Sequence, residues 1–242
     1  MGLPDLLEKQ LDAWGLVLHE HRCDLLLDYA GLLASYDRSN VIGTKDLDRI
    51  VLDHVLDSLS CFLFEPLSEA RRLADVGSGG GLPGIPIKIA KPDLRTTLVE
   101  STGKKSYFLR YAADALSLKD LAVANARVED LAHSPEHRAA YDVTTTRAVA
   151  HLAVVAEYCV PLLAVGGHAI SMKAGLAEAE LSEGQKAAGL LGAKISERIP
   201  VSFVPELGER ERQLLIIEKV RETPPRYPRK PGTPSKRPLG AG

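Results

Sequence analysis

The chain has 242 residues, 45% hydrophobic and 26% charged, with a formal net charge of −2. This is ordinary globular composition, long enough for one large α/β domain with an appendage, and it argues against a protein basic all over while leaving local basic patches open. The three cysteines, Cys23, Cys61 and Cys159, are far apart and form no Cys-x-x-Cys or Cys/His cluster, which argues against a disulfide scaffold or zinc site and for a reducing cytosol. No charged start followed by an apolar stretch is present, and no apolar run reaches about 18 residues, so a soluble, cytoplasmic chain without a membrane span is expected.

Residues 4–62 carry apolar positions at helical spacing: Leu6, Leu7, Leu11 and Trp14; then Leu25, Leu26, Tyr29, Leu32 and Leu33; then Val51, Val55, Leu59 and Phe62. Three helices are predicted there, an N-terminal helical cap over 1–65. His54 and Asp57 fall one turn apart on the third, where a packed or capping histidine is the commoner outcome. From Arg72 onward the pattern changes to short apolar runs near 72–76, 96–99, 121–125, 141–145, 167–172, 198–204 and 213–219. Helical stretches over 83–91, 103–116, 151–164 and 174–191 alternate with them, and 126–140 has no clear pattern. Alternating strands and helices predict a parallel sheet covered on both faces, over 66–220. The short polar linker Pro205–Arg212 makes the last two strands antiparallel neighbours. Such a chain resembles the seven-stranded, Rossmann-like α/β fold of S-adenosylmethionine-dependent methyltransferases.

The first strand runs into Asp75-Val-Gly-Ser-Gly-Gly-Gly-Leu-Pro-Gly84. Glycines between a strand and a helix let backbone approach a nucleotide-like ligand. The second strand ends at Glu100, where a carboxylate can accept both hydroxyls of an adenosine ribose. Gly79-x-Gly81-x-x-Gly84 also fits the dinucleotide fingerprint, so an NAD-dependent oxidoreductase stays open, and a turn that binds nothing is the bland reading. Lys104, Lys105 and Arg110 open the next helix as phosphate contacts or as a solvated face. Arg127-Val-Glu129 follows the third strand. Arg147 ends the fourth, where a cation faces the substrate edge and its removal is expected to cost activity without cost in melting temperature. The tail, 221–242, is expected to be irregular; it sets Arg221, Arg226, Arg229, Lys230, Lys236 and Arg237 against one acid, Glu222. Cations among prolines suit the phosphate backbone of RNA, with a solubilising tail as the alternative. Deleting the tail is expected to leave the cofactor site intact. No Asp/Asn-Pro-Pro-Tyr/Phe motif and no Pro-Cys nucleophile occur, which disfavours amino-directed and thiolate-dependent methylation.

Taken together, Asn40, His54-Val-Leu-Asp-Ser58, the glycine stretch through Pro86, Gly103-Lys-Lys105, Phe108-Leu-Arg110, Arg127-Val-Glu129, Thr146-Arg-Ala-Val-Ala150, Met172-Lys173 and Tyr227–Lys236 resemble the bacterial family that methylates N7 of a guanine in 16S ribosomal RNA. The family usually has Asn-Leu-Thr where this chain has Asn40-Val-Ile42, and often Asp where it has Glu100. The resemblance implies S-adenosyl-L-methionine as cofactor and 16S ribosomal RNA or the small ribosomal subunit as partner, with no metal, no membrane and no oligomer implied. It implies that Gly77, Gly79, Gly81 and Leu82 line the cofactor at the turn with Glu100, that Val128 and Glu129 bracket the adenine, and that Arg147 lies by the methionine end or the incoming base, as the best catalytic candidate. Lys104, Lys105, Arg110, Arg226, Arg229, Lys230, Lys236 and Arg237 are then the expected RNA contacts. A small-molecule methyltransferase of the same fold and a non-catalytic RNA-binding assembly factor are the competing readings.

Overall fold

A computed structural model describes residues 2–148, 150–208 and 210–240; Val149 of the Thr146–Ala150 motif, Glu209 of the linker and the last two residues of the tail lie outside the described residues. Helices α1 (Leu3–Ala13) and α2 (Glu20–Ser35) come first. The third expected helix is a composite: α3 (Leu47–Ile50), a π-helical turn (Val51–Val55), α4 (Leu56–Leu59) and a 3-10 turn (Ser60–Leu63). After α5 (Pro66–Glu69) the chain alternates β1 (Arg72–Val76), α6 (Gly84–Ala90), β2 (Arg95–Val99), α7 (Gly103–Ala115), β3 (Leu121–Ala124), α8 (Val128–Leu131), β4 (Tyr141–Arg147), α9 (Leu152–Cys159), β5 (Leu163–Lys173), α10 (Glu178–Leu191), β6 (Ala193–Pro200) and β7 (Gln213–Lys219), with α11 (Thr233–Lys236) in the tail.

The seven strands form one sheet in the order β3-β2-β1-β4-β5-β7-β6, parallel through β5, with β7 antiparallel to both neighbours. Both faces of the central strands are buried, and alternate residues there serve opposite cores, while the edge strands β3 and β6 are largely exposed or half-buried. Ala74, Val76, Val99, Leu215 and Ile217 pack under α9 and α10. Leu98 joins α6, α7 and the N-terminal helices in a second cluster, and Leu73, Val143, Ile170, Leu214 and Ile216 meet α5 in a third. The N-terminal helices thus supply much of one covering layer of the sheet.

Three expectations change. The sixth strand lies over Ala193–Pro200, not 198–204, because the left-handed Gly192 (φ 86°) ends α10 and turns the chain straight into pairing with Lys219. The fifth strand starts at Leu163 rather than 167, since Pro161 in a 3-10 turn has already ended the helical run. The tail is not a loose appendage. Tyr227 is buried in the α9/α10 core, and Arg138 donates to the carbonyls of Thr223 (2.9 Å) and Tyr227 (2.8 Å).

Candidate functional site

Three glycines of the turn take positive φ, Gly77 (72°), Gly79 (58°) and Gly81 (96°), which lets the chain reverse tightly at the C-terminal end of β1. Gly84 is required for a different reason. A Cβ there would stand 2.5 Å from Leu98 Cδ2 and 2.8 Å from Asp75 Cβ, so only hydrogen lets α6 pack this close to the sheet. Asp75 is fully buried beneath the turn and accepts from Thr145 Oγ1 (2.9 Å) and Gly84 N–H (3.2 Å). Burial pushes its carboxyl up to about 6, with the hydrogen bonds opposing.

Gly77, Glu100, Val128 and Glu129 line one cleft at the ends of β1 and β2, together with Val76, Arg127 and Tyr158. Glu100 is nearly buried there. One carboxylate oxygen accepts from Gly79 N–H (3.0 Å) and the other from Thr102 N–H (2.7 Å). Each oxygen keeps a lone pair, so the carboxylate is preorganised as an acceptor with capacity for two further donors. Gly81 and Leu82 face the other way. A Cβ on Gly81 would collide with Ile85 and approach Tyr29 Oη, Tyr29 donates to Gly80 O at 2.5 Å, and Leu82 packs on the cluster of the N-terminal helices.

Glu129 carries a second task. Its Oε1 accepts from Gly232 N–H of the tail (2.9 Å), and Tyr158 on the same cleft meets Ser235 Oγ at 2.9 Å. The tail therefore backs this cleft. Arg229 is likewise not free for RNA: it pairs with the wholly buried Glu157 through Nη2 (2.6 Å), Nε (2.9 Å) and its own N–H (2.8 Å). An ion pair of this kind holds the carboxylate that the fold has buried. Arg226, Lys230, Lys236 and Arg237 remain exposed, as do Lys104 and Arg110, with Lys105 half-buried.

A second cleft of about 310 Å³ opens along the same edge, at the ends of β4 and β5 and the start of β7. Arg147 lies here rather than in the first cleft. Its Nε pairs with Asp57 Oδ2 (3.0 Å), and its Nη2 donates to the carbonyl of Asp53 (2.7 Å) and meets His54 Nδ1 (2.8 Å). The π-helical turn holds Asp53 and His54, and such widened turns present backbone and side chains that a regular helix withholds. Burial, reinforced by Arg147, pushes His54 down to about 4, so its imidazole is neutral and accepts from the arginine. Arg212, one residue before β7, stands 3.5 Å from Asp57 Oδ1, and Arg210 pairs with Asp53 at 2.6 Å. Linear reading left His54 and Asp57 unassigned and missed Arg212, Gln213 and Tyr158. For Arg212 and Gln213 one signal existed: an antiparallel β7 must begin on the edge where the parallel strands end. Among the described residues no group of His, Cys, Asp and Glu is placed to hold a metal, and no helix is long and apolar enough to cross a membrane.

An antiparallel β7 inserted between β5 and β6, in a sheet whose first two strands end in a glycine turn and a carboxylate, defines an S-adenosylmethionine-dependent methyltransferase and sets the NAD reading aside. Solved structures share this fold: the apo methyltransferase SibL (TM-score 0.57, 12% identity, 81% of this chain and 70% of that one) and a geranyl diphosphate methyltransferase in complex with its cofactor (TM-score 0.53, 13% identity, 78% and 94%). The model of the rRNA small subunit methyltransferase G family matches residues 22–215. A ribosomal RNA small subunit methyltransferase G of Rubrobacter xylanophilus is 57% identical over 97% of this chain and 90% of its own, and one of Pelotomaculum thermopropionicum is 42% identical over 93% and 94%. The chain belongs to the rRNA small subunit methyltransferase G family.

Proposed function

We propose that this enzyme transfers a methyl group to N7 of a guanine in 16S ribosomal RNA, in the cytoplasm, with the first cleft holding the cofactor and the second the base. The observation that carries this is the pair of clefts on neighbouring strands of one sheet edge, one built around an acceptor carboxylate and the other around an arginine held by the buried Asp57. S-adenosylmethionine, when bound, supplies an electrophilic methyl group on sulfur. Guanine N7 carries an in-plane lone pair and no proton, so this chain needs no general base, and His54 and Asp57 serve Arg147 instead. Cys61 and Cys159 are buried with thiols pushed up by burial, Cys159 to about 12, so neither is a thiolate nucleophile. The protein's work is positioning, which supplies on the order of 7–11 kcal/mol when two reactants are held in line.

Gly77, Glu100, Val128 and Glu129 would bind the cofactor's adenosine, and Arg147 would orient the purine. Lys104, Lys105, Arg110, Arg226, Lys230, Lys236 and Arg237 are the proposed phosphate contacts. Gly232 and Ser235 anchor the tail at the cofactor cleft, so its free cations gather near that site. The experiment is tritiated methyl transfer to 16S ribosomal RNA, naked and within 30S particles, followed by nucleoside analysis. Label in 7-methylguanosine is the expected result; label elsewhere, or none, overturns it.

A further inference from the structure

The base cleft contains two buried acceptors that nothing in the fold satisfies. Asp57 is 4% exposed, and its Oδ2 is held by Arg147, but its Oδ1 makes no hydrogen bond; Arg212 Nε stands 3.5 Å away as an ion pair only. Gln213, also 4% exposed, leaves Oε1 buried without a partner. Both residues line the same cleft as Arg147, Ala148 and Met172. Folded proteins pair nearly all buried acceptors, so two orphans in one cavity mark the place where a ligand brings donors. Arg147, Lys173 and Arg212 also line the cleft, yet no N–H group donates to either of these two oxygens.

Among the four RNA bases, guanine alone offers two neighbouring donor nitrogens on its Watson–Crick edge, N1–H and the N2 amino group. Adenine and cytosine set a ring acceptor there, and uracil has a single N–H. We propose that Asp57, assisted by Gln213, reads the Watson–Crick edge of the target guanine and so determines the base specificity of methyl transfer. This rests on the reading of the second cleft as the seat of the base. N1 and N2 lie on the opposite side of the purine from N7, so acceptors that hold the Watson–Crick edge leave the N7 lone pair unobstructed. A cation donating to N7 would block it, and the two orphans are acceptors. Burial pushes the Asp57 carboxyl above its ordinary range, Arg147 and Arg212 oppose that shift, and Arg147 aims the group while one carboxylate oxygen stays free for the base.

The test compares two RNAs in reassembled small subunits, one natural and one with inosine, which lacks only the N2 amino group, ligated in place of the guanosine that the wild-type enzyme methylates. A site built around a donor rejects an analogue without it, so wild-type kcat/KM should fall at least about tenfold on inosine. Asp57→Asn, which keeps shape and exchanges acceptor for donor, should slow transfer to guanosine, bring the guanosine-to-inosine ratio within about twofold, and leave S-adenosylhomocysteine affinity unchanged. Equal wild-type rates on the two RNAs overturn the proposal. So does an Asp57→Asn enzyme that is slow on both with the ratio kept, because that is a positioning role exerted through Arg147. Should Asp57→Asn fail to fold, Gln213→Met is read the same way: a lowered ratio supports the assignment and a retained ratio overturns it. No transfer by the wild type to the guanosine RNA would overturn the proposed function itself, and this inference with it.

Discussion

Arg147 joins strand β4 to the composite third helix through one guanidinium, and this determines what its substitutions do. Arg147→Ala would leave the buried Asp57 with only Arg212, 3.5 Å away, paired to it, and removing one member of a buried pair costs about 3–5 kcal/mol. The expectation of an unaltered melting temperature is therefore replaced: Arg147→Ala should melt well below the wild type, and thermal denaturation measures it. Arg147→Lys keeps the charge but loses the planar fork, so it should melt close to the wild type and still lose most kcat/KM in the methyl-transfer assay. Glu100 is simpler. Glu100→Gln replaces one of two preorganised acceptor oxygens by a donor and should weaken cofactor binding by about 1–3 kcal/mol, read by calorimetric titration of S-adenosylhomocysteine. His54 supplies a pH signature. Its folded pKa of about 4 is below its unfolded 6.5, so between those values the unfolded chain binds more protons, and His54's contribution to stability is full above pH 6.5 and lost as pH falls toward 4. Asp75, raised from 3.8 to about 6, acts with the opposite sign over nearly the same window, where stability falls as pH rises. His54→Gln should therefore lose less stability than the wild type between pH 6.5 and 4.5, as urea denaturation at several pH values would show.

At the scale of elements, the tail is the segment whose role changed most. Composition marks it as a chain that cannot build a core, yet Tyr227 enters one built by α9 and α10. The difference lies with its partners. Arg138, Glu157, Glu129 and Tyr158 come from three other elements or loops; Arg138 holds the carbonyls of Thr223 and Tyr227, and the other three meet Arg229, Gly232 and Ser235 in turn. Deletion after Val220 would leave Glu157 without its counter-charge and Glu129 without Gly232. We expect the truncated protein to melt lower and to bind S-adenosylhomocysteine more weakly, in contrast to a tail that only solubilises. Calorimetry on the two proteins separates these outcomes. The third helix was legible as a helix but not as a broken one, because a π turn leaves the apolar spacing of Val51, Val55 and Leu59 nearly intact.

Across the whole molecule, a net charge of −2 cannot attract RNA uniformly, so binding must rest on where the exposed cations lie. Lys230, Lys236 and Arg237 are exposed on an anchored segment rather than spread along a free one. Replacing these three by alanine should weaken RNA binding and reduce the slope of log K against log salt by about 2, at roughly 0.7 per phosphate contact for single-stranded RNA. An unchanged slope in filter binding would move the RNA surface to Lys104, Lys105 and Arg110.

The linear order of residues by itself determined the alternation of strand and helix, the antiparallel final pair, the glycine turn and Glu100 at the neighbouring strand end, because each rests on local periodicity or on spacing along one βα unit. It carried the family's motifs as well. What the tertiary structure decided was every pairing across distance: Arg147 with His54 and Asp57, Arg229 with Glu157, and Arg212 and Gln213 brought to the edge of β4 and β5. Those residues lie tens of positions apart, so no periodicity records their meeting. Burial then decides which charges are used up in holding the fold and which acceptors are left without a partner.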